Sequence, residues 1–185
     1  PSDAGLDTIY YVGFAQNGCK DTVSRTINVL SAPIPTLVAS DTLCENEPAI
    51  TLLGSPATGT YSGPGVTGNS FDPSVALPGF HYVYYKADYT NGCSRRIAKG
   101  IEVLEKPNVV FTPLLDVCEG TGDYTIVRGT PAGGTLSGGF VDDVASTFDV
   151  DAAGIGSFPV TYKYEDTYGC SEEITQNVVV KQAPF

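Results

Sequence analysis

The sequence has no methionine, no tryptophan and a single histidine, His81. A Ser/His/Asp or Cys/His constellation would have to be built around that one residue. His81 falls on an inward position of an alternating strand pattern, which reads as a partly buried structural histidine. With no convergent acid, base and nucleophile elsewhere, the sequence reads as non-catalytic. Positive charge is also scarce: 10 Lys and Arg against 21 Asp and Glu give a net charge of −11, and the pI is near 4.3. That field repels nucleic acid and anionic headgroups alike. No apolar run reaches the roughly 18 to 20 residues that cross a bilayer, which excludes direct membrane insertion by a helix. No C-x-x-C pair occurs, so a cysteine metal site is not expected, and no cofactor is implied. A chain beginning with Pro1 and lacking methionine reads as a piece of something longer.

What is present favours β structure. The 185 residues include 11 Tyr, 8 Phe, 21 Gly and 13 Pro, with many Val, Ile and Thr and no long run of helix formers.

A repeat can be counted. "GLDTIYYVGFAQNGCKDTVSRTINVLSAP" (Gly5 to Pro33) recurs as "GFHYVYYKADYTNGCSRRIAKGIEVLEKP" (Gly79 to Pro107) and "GSFPVTYKYEDTYGCSEEITQNVVVKQAP" (Gly156 to Pro184), each with 14 residues from Gly to Cys and 14 from Cys to Pro. Upstream, Pro33 to Cys44 and Pro107 to Cys118 are both 11 residues, and "GSPATGTYSG" (Gly54 to Gly63) answers "GTPAGGTLSG" (Gly129 to Gly138). The unit is about 75 residues. Residues 1–33 are expected to be the C-terminal hairpin of one copy, with 34–107 and 108–184 two complete copies.

Within each copy, period-two alternation predicts a long strand with one face buried. The inward sets are Asp7, Ile9, Tyr11 and Gly13; then His81, Val83, Tyr85 and Ala87; then Phe158, Val160, Tyr162 and Tyr164. Asn17-Gly18 and Asn91-Gly92 suit a tight hairpin turn, after which a second long strand follows. Tyr168-Gly169 departs from that turn signature. With further short Gly- and Pro-punctuated runs, about seven strands per copy predict an all-β fold of tandem immunoglobulin-like β-sandwich repeats. Proline steps at "SAPIPT" and "EKPNVV" predict stiff junctions and a rod-like array.

The five cysteines fall at matching places. Cys44 with Cys93 and Cys118 with Cys170, 49 and 52 residues apart, is the pairing expected from the repeat, each bond contributing on the order of 4 kcal/mol. Such bonds require an oxidising compartment. Cys19 aligns with Cys93 and Cys170, and its partner is expected before Pro1. Tyr82 and Tyr84 fall on the outward face, with Tyr10 equivalent to Tyr84, and are the candidate contacts for a sugar ring or a protein. The acidic pairs Asp142-Asp143, Asp149/Asp151, Glu165-Asp166 and Glu172-Glu173 read as solvated loop carboxylates.

The order of "CEG" (Cys118 to Gly120), "GTPAGGTLSG" (Gly129 to Gly138), "FDPS" (Phe71 to Ser74), a Tyr-rich strand, "NGC" (Asn91 to Cys93) and a Val-rich strand resembles the immunoglobulin-like repeats of giant Bacteroidota cell-surface proteins, including gliding-motility adhesins of the SprB kind. The third copy carries "YGC" (Tyr168 to Cys170) in the place of "NGC". The resemblance implies export to the cell surface by the type IX route. The expected function is a non-catalytic stalk or spacer in a long secreted adhesin, serving gliding or surface attachment. The alternative is a polysaccharide- or protein-binding module, one accessory to a secreted enzyme included. Expected partners are neighbouring repeats of the same chain, then surface polysaccharide or other surface proteins.

Overall fold

The computed structural model describes residues 4–183; Pro184, the last position of the third copy, lies outside them. The fold is all-β, 52% strand and 4% helix. Two compact units are present: residues up to Leu43 together with Glu47–Val103, and Cys44–Asn46 together with residues from Leu104 onward.

The first unit begins with a hairpin of β1 (Gly5–Phe14) and β2 (Lys20–Val29), in register from Gly5↔Val29 to Phe14↔Lys20. The elements that follow are β3 (Thr36–Val38), β4 (Thr42–Cys44), β5 (Ile50–Thr51), β6 (Leu53–Ser55), β7 (Gly59–Ser62), β8 (Val66–Thr67), β9 (Ser70–Phe71), a helical turn α1 (Pro73–Ala76), and the long hairpin β10 (Gly79–Asp88) and β11 (Ser94–Leu104). They form a four-stranded sheet in the order β4-β11-β10-β7, faced by β5-β9-β8, with β3 and β6 paired beside them. Leu43, Val83, Ile101 and Val103 of the first sheet close on Leu52, Phe71 and Ala76 in one core. The strand alternation places Val83, Tyr85 and Ala87 inward, fully buried, with His81 half-buried at the strand's start.

The second unit repeats this order. It contains β12 (Val117–Cys118), β13 (Tyr124–Thr125), β14 (Thr135–Ser137), β15 (Val141–Asp142), β16 (Thr147–Phe148), the turn α2 (Val150–Ala153), β17 (Gly156–Glu165) and β18 (Ser171–Lys181). Its sheets run β12-β18-β17-β14 and β13-β16-β15. Val160, Tyr162, Val178 and Val180 meet Phe111, Ile126, Phe148 and Val150 between them. The hairpin β1–β2 has no such second layer among the described residues, so its inward set stays in solvent, Ile9 and Tyr11 included.

A feature of the Gly-Pro block organises both cores. In "GSPATG" the glycines Gly54 and Gly59 lie against the Tyr85 ring, and a Cβ at Gly54 would come within 2.5 Å of it. The Tyr85 hydroxyl donates to the Pro56 carbonyl. In "GTPAGG", Gly129 and Gly134 flank Tyr162 in the same way, and the Tyr162 hydroxyl donates to the Pro131 carbonyl at 2.6 Å while accepting from the Gly134 N–H at 2.9 Å. The block wraps a buried tyrosine and satisfies its polar end, so the ring fills the core without an orphaned hydroxyl.

Candidate functional site

Three hairpin turns carry the tip cysteines, and all three close alike. Ala15 donates to Cys19 at 2.8 Å, Tyr89 to Cys93 at 2.9 Å and Asp166 to Cys170 at 2.9 Å, backbone to backbone. Gly18, Gly92 and Gly169 take positive φ of 87°, 84° and 88°, a region open to glycine at no steric cost. The Asn17 and Asn91 side chains accept from the amides of Cys19 and Cys93, at 3.2 and 3.1 Å. In the third copy Asp166 does this for Cys170 at 2.9 Å. Tyr168-Gly169 therefore makes the same turn, with its acceptor moved two positions earlier in the loop.

The expected cysteine pairing is corrected. Cys44 is bonded to Cys170, 126 residues away, and Cys19, Cys93 and Cys118 carry free thiols. Strand direction is the reason. Glu45 N–H donates to the Leu104 carbonyl at 2.8 Å, which sets Cys44 beside the C-terminal end of β11, whereas Cys93 precedes its N-terminal end. An eleven-residue strand separates those ends by about 33 Å, and a disulfide needs its Cα atoms within about 7 Å. Cys118 is likewise in register with Lys181 at the end of β18, while Cys170 precedes its start. A bond within one copy would have to span a whole strand.

The hairpin tip of the third copy instead folds back to the start of its own unit, where Cys44 waits. Asn46 Nδ2 donates to the Ser171 carbonyl at 2.7 Å and to Glu172 Oε2 at 3.0 Å, and Lys106 Nζ pairs with Glu172 Oε1 at 3.1 Å. Cys170 is fully buried and Cys44 nearly so. Closing a loop of 126 residues contributes about 5 kcal/mol in the chain-entropy model. The sequence reading missed Asn46 and Lys106, whose signal was their placement beside the cysteine and the junction proline, and it took Glu172 for a solvated loop carboxylate, whereas Glu172 lies on β18 and is held in the ion pair.

The outward tyrosines lie where the alternation puts them. Phe80, Tyr82 and Tyr84 line the outer face of β10, with ring centroids 5.2 Å apart for Phe80 and Tyr82 and 6.4 Å for Tyr82 and Tyr84. Phe80 is 61% and Tyr82 54% exposed. The Arg96 guanidinium sits 4.7 Å over the Tyr84 ring, a contact worth about 0.5 to 1 kcal/mol at an exposed site. Gly100 on β11 makes room for the Phe80 ring. Phe80 and Arg96 join the candidate strip, although only the tyrosines stand out in the sequence. Tyr10 is exposed on β1, with Leu6 and Thr8 at the equivalents of Phe80 and Tyr82, so it forms no such strip. The third copy has Ser157, Pro159 and Thr161 there.

The remaining polar candidates hold structure. His81 Nε2 lies 2.8 Å from the Leu77 carbonyl. Asp149 Oδ1 caps α2 by accepting from Ala152 N–H at 2.9 Å. Asp72 caps α1, accepting from the hydroxyl and amide of Ser74 at 2.7 and 3.0 Å; those donors, the hydroxyl first, hold its carboxyl below the usual range. The Asp116 carboxylate beside Lys181 raises that ammonium above its ordinary value. Among the described residues no group of three or more His, Cys, Asp or Glu is placed to hold a metal ion, and no helix is long and apolar enough to cross a membrane.

No protein-family model matches the chain, and no curated protein does. Among solved structures it is similar to the insect immune protein hemolin (17% identity, TM-score 0.36, 94% of this chain and 56% of that one). It is also similar to protocadherin gamma B2 extracellular cadherin domains 1–5 (12%, 0.30, 98% and 47%) and to sidekick-1 immunoglobulin domains 1–5 (14%, 0.30, 97% and 47%). The chain spans about half the length of these structures.

Proposed function

We propose that this chain is a non-catalytic, load-bearing spacer of a secreted cell-surface adhesin. The observation that carries this reading is the Cys44–Cys170 bond, which joins the second sequence copy to the third. Tension along the chain entering at residue 44 can leave at residue 170 through one covalent link, bypassing the 125 residues between them. A disulfide of this kind persists outside the reducing cytosol, which supports an extracellular location. The finer reading, a segment of a gliding-motility adhesin of the Bacteroidota exported by the type IX route, rests on the motif order in the sequence. Pulling the chain from its two ends tests the spacer role. The oxidised chain is expected to withhold the contour between residues 44 and 170, and reduction to release a further length of about 440 Å for 126 residues. Equal extension with and without reductant would sink it.

A second reading is favoured by one observation, the strip of exposed Phe80 and Tyr82 continued by the half-buried Tyr84. Flat apolar rings with polar tips can stack on the faces of sugar rings. On this reading the second copy is a polysaccharide-binding module and the third is not. A glycan array and a cellulose pull-down, with the Tyr82→Ala/Tyr84→Ala double variant as control, decide between the two.

A further inference from the structure

The three free cysteines are of two kinds, and their positions repeat those of the bonded pair. Cys118 and Cys44 are both leading cysteines, 11 residues after a junction proline. Each sits on a short strand beside the end of its copy's last long strand: Glu119 N–H donates to Lys181 at 2.9 Å as Glu45 N–H donates to Leu104 at 2.8 Å. Cys44 is buried in its bond, whereas Cys118 occupies the same place with its thiol exposed.

The tip cysteines correspond as well. Cys93 and Cys170 close the same turn, and both tips lie on the junction that precedes them. In the second unit Glu172, two residues after Cys170, binds Lys106, the residue before Pro107. In the first, Arg95, two residues after Cys93, donates to the carbonyl of Ala32, the residue before Pro33, at 3.0 Å. Asn91 and Tyr89 add bonds to the Ser31 and Pro33 carbonyls. The Cys93 tip is thus docked at the end of β2 as the Cys170 tip is docked at the end of β11. What the first unit lacks is a leading cysteine beside β2.

We propose that Cys118 and Cys93 are the two open ends of a disulfide ladder, in which the leading cysteine of each copy is bonded to the hairpin-tip cysteine of the next. The occupant of both sites is a further copy of this repeat: its tip cysteine for Cys118, its leading cysteine for Cys93. Cys19, a tip cysteine, takes a leading cysteine by the same rule. The contact is head-to-tail and does not close on itself, so it propagates along an array. Each rung forms by thiol–disulfide exchange with a small-molecule disulfide such as oxidised glutathione. Two protein thiols become one S–S bond, and their two protons and two electrons convert the oxidant's disulfide to two thiols. This inference rests on the repeat and the bond map and not on the spacer reading, so force measurements do not bear on it.

The test is the full chain extended at its C-terminal end by one more copy of residues 108–184, carrying Glu173→Asp in the added copy alone so that its tip peptide differs in mass from that of Cys170, refolded in a glutathione redox buffer. Free thiols are alkylated before reduction and the linked peptides mapped by mass spectrometry. Cys118 is expected to pass from complete labelling in the 185-residue chain to none, linked to the added copy's counterpart of Cys170, with Cys44–Cys170 intact. In the extended chain carrying Cys118→Ser, that added tip cysteine should become labelled while Cys44–Cys170 persists. A Cys118 that stays fully labelled, or that is linked to Cys170, overturns the ladder.

Discussion

Cys44 and Cys170 are joined although they belong to different copies of the repeat, because Cys44 flanks the far end of the strand that Cys93 begins. The bond is accompanied by the half-buried Lys106–Glu172 ion pair and the Asn46 hydrogen bonds. Magnitudes separate these contributions. A partly exposed ion pair is worth about 0 to 1 kcal/mol, while the crosslink is worth several times that.

Cys44→Ser is therefore expected to lower the unfolding free energy of the second unit by roughly 2 to 5 kcal/mol, and Glu172→Gln by under about 1 kcal/mol. Denaturant titration of each variant measures this. Cys93→Ser and Cys118→Ser, which break no bond in the 185-residue chain, should stay within about 0.5 kcal/mol of the parent. Reductant should bring the parent down to the Cys44→Ser midpoint and leave that variant unmoved.

The hairpins were legible because Val83, Tyr85 and Ala87 alternate with Tyr82, Tyr84 and Lys86, and because the Gly-to-Cys spacing fixes the register in all three copies. The disulfide map was not legible from the same regularity. A repeat is respected equally by bonds within a copy and by bonds from each copy to the next, and spacing cannot tell the two apart. The decision lies in which end of β11 the strand bearing Cys44 pairs with, a non-local fact. The Gly-Pro block was similarly half-read: its glycines and prolines signalled turns, while their packing on Tyr85 and Tyr162 depends on contacts about 30 residues away.

That packing makes Gly54 and Gly134 sensitive positions. Gly134→Ala places a methyl inside the van der Waals envelope of the Tyr162 ring and hydroxyl, and overpacking of this kind costs about 1 to 3 kcal/mol. Gly54→Ala against Tyr85 should cost a similar amount. Gly139→Ala, where a Cβ meets nothing within 4 Å, is the control and is expected to be neutral. Thermal melts of the three variants give the comparison, and equal melting points would refute the cradle.

The outer strip predicts a dependence on Arg96. Its guanidinium over Tyr84 fixes that ring, so Arg96→Ala should free Tyr84 and lower stability by about 0.5 to 1 kcal/mol. Tyrosine fluorescence and denaturant titration follow both effects. No change in either would mean that the stacking is not populated in solution.

Burial of the Tyr85 ring raises its hydroxyl pKa above the ordinary value of 10.0, with smaller contributions from Tyr61, Tyr89 and Asp88. The neutral phenol is the form the core accepts, and its O–H donates to the Pro56 carbonyl. In the unfolded chain the same phenol ionises near pH 10. The unfolded state thus loses the proton first, and stability falls as pH rises above about 10 until the folded phenol ionises too. Below that window the contribution is complete and independent of pH. Tyr85→Phe removes this ionisation together with one hydrogen bond. The variant is expected to be about 1 kcal/mol less stable at neutral pH and to lose less stability than the parent between neutral pH and pH 11. Denaturant midpoints at a series of pH values measure both, and an alkaline slope identical in the two proteins would show that Tyr85 does not couple folding to pH.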